Sequence, residues 1–86
     1  MPKISEFFGI SIYMYYREHQ PLHFHAIYGD DEALISIETL SVIAGQLSPR
    51  VMGLVIEWAT IHQKELVDAW SRAKSHQPLP RIEPLS

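Results

Sequence analysis

Between Ile10 and Glu38 the chain places an apolar side chain at nearly every second position, in three runs separated by turn-forming residues. Ile10, Ile12 and Met14 fall on one side of the first run, with Ser11, Tyr13 and Tyr15 on the other, the period-two pattern of a half-buried strand. Glu18-His19-Gln20-Pro21 reverses the chain, because proline donates no ladder hydrogen bond and restricts the residue before it. In the second run Leu22, Phe24 and Ala26 face one way and His23, His25 and Ile27 the other, and Gly29-Asp30-Asp31 closes it. In the third, Ala33, Ile35 and Ile37 face the core while Ser36 and Glu38 face away. Val42 to Ala44 offers a short fourth strand.

After Gly45 the period changes. Ser48 is a natural N-cap and Pro49 suits the first helical position, where its missing N–H loses nothing. Val51, Leu54, Val55, Trp58, Ile61, His62, Leu66, Ala69, Trp70 and Ala73 then recur at three and four, an amphipathic stripe running to about Ser75. Pro78 and Pro80 stop it, leaving a proline-rich arm over 77–86 that docks through Leu79, Ile82 and Leu85. The expected architecture is a single α+β domain over 1–86. It comprises a three- to four-stranded antiparallel meander (about 8–45), one long C-terminal helix packed on one face (about 49–75) and an extended tail. Geometry sets a difficulty. A helix of about 27 residues spans roughly 40 Å, whereas strands of six or seven residues reach only about 20 to 23 Å. Unless it kinks or splits near Gln63, the helix overhangs its sheet. Leu66, Trp70 and Ala73 then need cover from the arm, a second copy of the chain or another protein, and Leu66, Val67 and Trp70 are the candidate partner-binding residues.

Composition narrows the function classes. Apolar residues make up 47% of the 86 positions and charged ones 20%, an ordinary globular balance. With no cysteine, a metal would have to be held by imidazole and carboxylate. No run reaches the length of a membrane span and the first residues lack the apolar stretch of a secretory signal, so a soluble, cytoplasmic protein is expected. Seven basic against ten acidic residues give a formal charge of -3, which disfavours direct nucleic-acid binding by the isolated chain.

The candidate chemistry is histidine. His19, His23 and His25 put three of the five histidines within seven positions. Two apart on a strand, His23 and His25 leave the same face with Cα atoms about 6.5 to 7 Å apart, close enough to share zinc or another divalent transition metal. His19 or Glu38 would be the third ligand. The same face offers acid–base catalysis, with His23 and His25 as imidazoles, Glu38 orienting one of them and Tyr15 in support. The plainer account is that these imidazoles coat an open sheet face, stack on Tyr13 and Tyr15, or lie in a dimer interface. His62, between Trp58 and Leu66 and one turn from Glu65, reads as a residue at the edge of the core, and His76 as a cation at a helix C-terminus. Asp30-Asp31-Glu32 lacks the ligand spacing of a calcium loop and reads as a solvated turn. No phosphate-binding glycine loop or activated serine motif is present.

The stretches FFGISIYMYYREHQPLHFHAIYGDDEALISIETL, EWATIHQKELVDAW and PLPRIEPL together resemble a small bacterial family, domain of unknown function four-one-six-zero, across nearly the whole chain. That resemblance implies a gene context and no settled activity. Members often lie beside a second uncharacterised family, domain of unknown function two-four-four-two, in compact pairs of toxin–antitoxin type. The first expectation is therefore a protein-interaction module acting with a protein partner or as a homodimer. The alternatives are a small metal-dependent or acid–base enzyme, such as a nuclease toxin, and a nucleic-acid-binding regulator that works only within a complex.

Overall fold

The computed structural model describes residues 2–16 and 18–86. Five strands, β1 (Lys3–Phe7), β2 (Ile10–Tyr13), β3 (His23–Tyr28), β4 (Asp31–Ser36) and β5 (Val42–Gly45), precede two helices, α1 (Pro49–Ile61) and α2 (Gln63–Lys74). The strands form one antiparallel sheet in sequence order, so the α+β meander stands. The alternation chose the buried face correctly, with Ile10, Ile12, Met14, Phe24, Ala26, Ala33, Ile35 and Ile37 all fully buried. Trp58 of α1 lies against this face, its ring 5.8 Å from that of Phe24 and 5.4 Å from that of Phe7.

Two expectations need correction. The sheet has five strands rather than three or four, because β1 pairs with β2 ahead of the expected start. A β-bulge between Lys3 and Ser5 lets Ile4 and Ser5 both point inward, which erases the alternation by which a strand is recognised. The hairpin turn also uses Phe8 at φ 51° before Gly9 at φ 80°, and an aromatic residue in the left-handed region gives no turn signal in sequence.

The second correction is that the single long helix is two. The 13 residues of α1 span about 20 Å, close to the length of the strands beneath. His62, at φ -111° and ψ 23°, ends α1, and the amide of Leu66 donates to the His62 carbonyl as the next helix begins. No proline or glycine marks this break. A tertiary contact holds it: the Gln63 side chain donates from Nε2 to the Ile37 carbonyl at 2.6 Å, at the end of the sheet. Beyond it α2 closes over the end where β3 begins, and Tyr16 donates its hydroxyl to the Gln77 carbonyl from the same side. Leu66, Ala69, Trp70 and Ala73 are consequently buried inside the monomer. Leu66 and Trp70 therefore offer no open patch to a partner, and Val67 alone of the three is exposed.

The caps and tail follow the sequence closely. Ser48 accepts from the Val51 amide with Pro49 in the first turn. Ile82 is buried, with Leu79 and Leu85 packed partly against the core. The arm lies on the outer side of β1, where the Ile82 amide donates to the Ile4 carbonyl and the Trp58 indole donates to the Glu83 carbonyl. β5, at the opposite edge, is exposed along its whole length. Among the described residues no helix is long and apolar enough to cross a membrane.

Gly45 joins β5 to the helical half at φ 74°, and a Cβ there would collide with the Glu32 carbonyl. Left-handed strain and backbone overlap act together, so Gly45→Ala should lower the unfolding free energy by about 2 kcal/mol or more. Urea denaturation of the two proteins measures this directly, and an unchanged midpoint would contradict the account of the turn.

Candidate metal centre

His23 opens β3 and His25 follows two residues on, so both imidazoles leave the face opposite Phe24. Both are nevertheless buried, at 6% and 9% exposure. The cover comes from three directions. Trp70 of α2 packs on His23, Tyr15 stands edge-on to His25 with ring centroids 4.4 Å apart, and the loop before β3 returns Glu18 across both rings. Register supplies the fourth group: His25 pairs with Leu34 and Ile27 with Glu32, which puts Glu32 on the same face as His25, one step along the diagonal.

The hydrogen bonds fix how each ring presents itself. His23 Nδ1 lies 2.8 Å from the Pro21 carbonyl, which can only accept, so Nδ1 carries a hydrogen and Nε2 is the nitrogen that faces Glu18. That Nε2 is buried without a hydrogen-bond partner, 3.8 Å from Glu18 Oε1. His25 Nδ1 lies 2.8 Å from Glu32 Oε2 and its Nε2 lies 2.7 Å from Glu18 Oε1. Each of these short contacts between nitrogen and carboxylate has the length of a hydrogen bond.

Glu18, His23 and His25 present ligand atoms within 4.8 Å of one another. Tetrahedral bonds of about 2.0 to 2.1 Å separate ligands by about 3.3 to 3.5 Å. The two Glu18 distances, 2.7 and 3.8 Å, bracket that range. The surroundings match what metal-bound imidazoles need, with each Nδ1 held by an acceptor, a carbonyl for His23 and a carboxylate for His25.

Several expected residues fall elsewhere. His19 is exposed and outside the group, and its neighbour Glu18 is the third member. Glu38 is also exposed. β4 ends at Ser36, where the Leu40 amide turns back to the Ser36 carbonyl, and the buried Ile37 side chain leaves Glu38 on the outside of that turn. Its proposed role of orienting a histidine is taken by Glu32. The expectation of a solvated turn holds for Asp30, whereas Asp31 and Glu32, also exposed, belong to β4, and Glu32 reaches His25 from there. The signal for Glu32 was the hairpin register, since Gly29 and Asp30 as turn centre set it diagonally across from His25. Trp70, expected on a partner surface, is a wall of the histidine site. His62 stays apart, its Nδ1 2.6 Å from Glu65 and its ring against Trp58.

Tyr15 stacks on Tyr13 at 6.2 Å, so Tyr13, Tyr15, His25, His23 and Trp70 form a row of touching rings. Burial, followed by the negative charge of Glu32, raises the Tyr15 phenol above its ordinary pKa. Folding thus favours the protonated phenol. Its contribution to stability is complete below about pH 10, the unfolded value, and is lost as pH rises through the higher folded value. Tyr15→Phe should flatten the alkaline fall in stability and remove a phenolate that appears above the ordinary range in an absorbance titration. An unaltered titration curve would count against this placement of Tyr15.

No curated protein and no solved structure matches the chain. Residues 9–71 match the family described as Domain of unknown function (DUF4160). The match spans β2 through most of α2 and includes Glu18, His23, His25, Glu32 and Trp70. By that match the chain belongs to the DUF4160 family.

Proposed function

We propose that the protein binds a divalent transition-metal ion through Glu18, His23 and His25 and uses it as a Lewis acid in hydrolytic chemistry. The observation that carries this reading is His23 Nε2, a buried nitrogen without a hydrogen-bond partner whose ring is held by the Pro21 carbonyl. A buried polar atom left unpaired costs about 1 to 3 kcal/mol, and a metal ion is the partner that the adjacent Glu18 and His25 suit. Two imidazoles and one carboxylate favour zinc, iron or cobalt over calcium, which takes six to eight oxygens. Three protein ligands also leave a coordination position open, the arrangement of catalytic rather than structural sites. Water held there would have its pKa lowered toward neutrality.

The reading as an interaction module in a two-gene pair keeps only Val67 of its three helix residues on the surface. The metal reading has the more specific support.

Protein prepared without an affinity tag or nickel column, dialysed against zinc and then against buffer, should retain near-stoichiometric metal by elemental analysis. His23→Ala/His25→Ala should abolish retention. Glu32→Gln, which removes the charge behind His25 without touching the ligand set, should weaken affinity about tenfold. His19→Ala and Glu38→Gln should leave it unchanged. Metal-free wild-type protein, or retention that survives the double histidine substitution, would overturn the assignment.

A further inference from the structure

Tyr28 closes β3 at the end away from His23, about 17 Å along the strand. Between that end of the sheet and the first turns of α1 lies a cavity of about 440 Å³. Buried Ile10 and Val51, with half-buried Leu54, form its floor, and Phe8 and Tyr28 stand at its rim at 61% and 44% exposure. Small-molecule sites have this character, a largely apolar concavity of about 300 to 1,000 Å³ with a few polar groups that orient the ligand. The rim aromatics are not an overflow from the core. Phe7 takes the buried place in the β1–β2 hairpin, while Phe8 at φ 51° adopts a backbone conformation that bulky residues seldom take and leaves its ring in solvent.

Charge decides what the cavity can hold. Its lining carries one cation, Arg50, and no carboxylate, and the acids of the adjoining hairpin, Asp30 and Asp31, are not among its walls. The first turn of α1 has no acidic residue, and Arg50 makes no ion pair among the described residues. In a chain of formal charge -3, an unpaired guanidinium beside an apolar floor selects a ligand of the opposite sign. We propose that this cavity binds a small monocarboxylate with an apolar body. The carboxylate lies on Arg50, whose planar fork of donors matches its two oxygens. Ser48 adds a second donor, because its oxygen already accepts from the Val51 amide and its hydrogen remains to be given. The apolar body covers Ile10, Val51 and Leu54 between the rings of Phe8 and Tyr28. The site shares no residue with the histidine cluster, and its occupation needs no metal.

The test uses full-length, ¹⁵N-labelled protein with assigned backbone amides. Phenylbutyrate, its neutral counterpart phenylbutanol, and acetate are titrated separately at constant pH and ionic strength. Phenylbutyrate should give saturable shifts at Gly9, Arg50, Val51 and Leu54 and leave Leu66 and Ala69 of α2 still, with a dissociation constant of about 1 mM or tighter. Phenylbutanol should bind about tenfold more weakly, the loss of a charge-assisted hydrogen bond. Acetate, which lacks the apolar body, should bind more weakly still. Arg50→Gln should cost phenylbutyrate about the same tenfold and leave phenylbutanol unchanged. Amides that stay still at about 10 mM phenylbutyrate overturn the proposal. Equal binding of acid and alcohol overturns it as well, as does acetate binding as tightly as phenylbutyrate or Arg50→Gln binding the acid at full strength. Arg50 is exposed, and the comparison of acid, alcohol and acetate is made in the unsubstituted chain, so misfolding of the variant cannot mask the outcome.

Discussion

A helix can bury its apolar stripe only along the length of sheet beneath it, and this limit organises the molecule. α1 stops after 13 residues, close to the reach of the strands it covers. A straight continuation would carry Leu66, Ala69 and Trp70 into solvent. Instead the chain breaks at His62, Gln63 ties the new helix to the Ile37 carbonyl, and the second half of the stripe is spent on the end of the sheet. Trp70 reaches His23 by that route, so the break that completes the core also closes one side of the histidine cluster.

The elements legible in sequence are those in which local pattern and tertiary role agree. The faces of β2, β3 and β4, the Ser48 cap and the docking of Ile82 all followed from periodicity or turn chemistry. β1 did not, because its bulge removes the alternation and Phe8 occupies a conformation its side chain disfavours. The helix break was anticipated as a length problem. Its cause could not be read, since Gln63 acts through a carbonyl 26 residues away in the chain.

For the site, the two strand histidines were legible because a strand fixes the direction of alternate side chains. The carboxylates were not. Glu18 and His19 are neighbours in a loop, and only the path of that loop decides which of them turns inward. Glu32 and Glu38 both belong to the strand region opposite β3, and the point at which β4 ends decides which one meets His25. The resulting cluster joins two histidines on a strand to one glutamate from a loop.

The two margins of the sheet are treated differently. Along β1 the chain lays down its own proline-rich arm, bonded at Ile4 and pinned by Trp58, while β5 presents Val42, Ile43, Ala44 and Gly45 with no lysine, glutamate or proline among them. Backbone donors and acceptors unused on an outer strand are a template for further pairing, and charged or proline residues are what usually blunt it. The meander is therefore directional: a sixth strand has one side on which to form, and it would continue the sheet away from the arm.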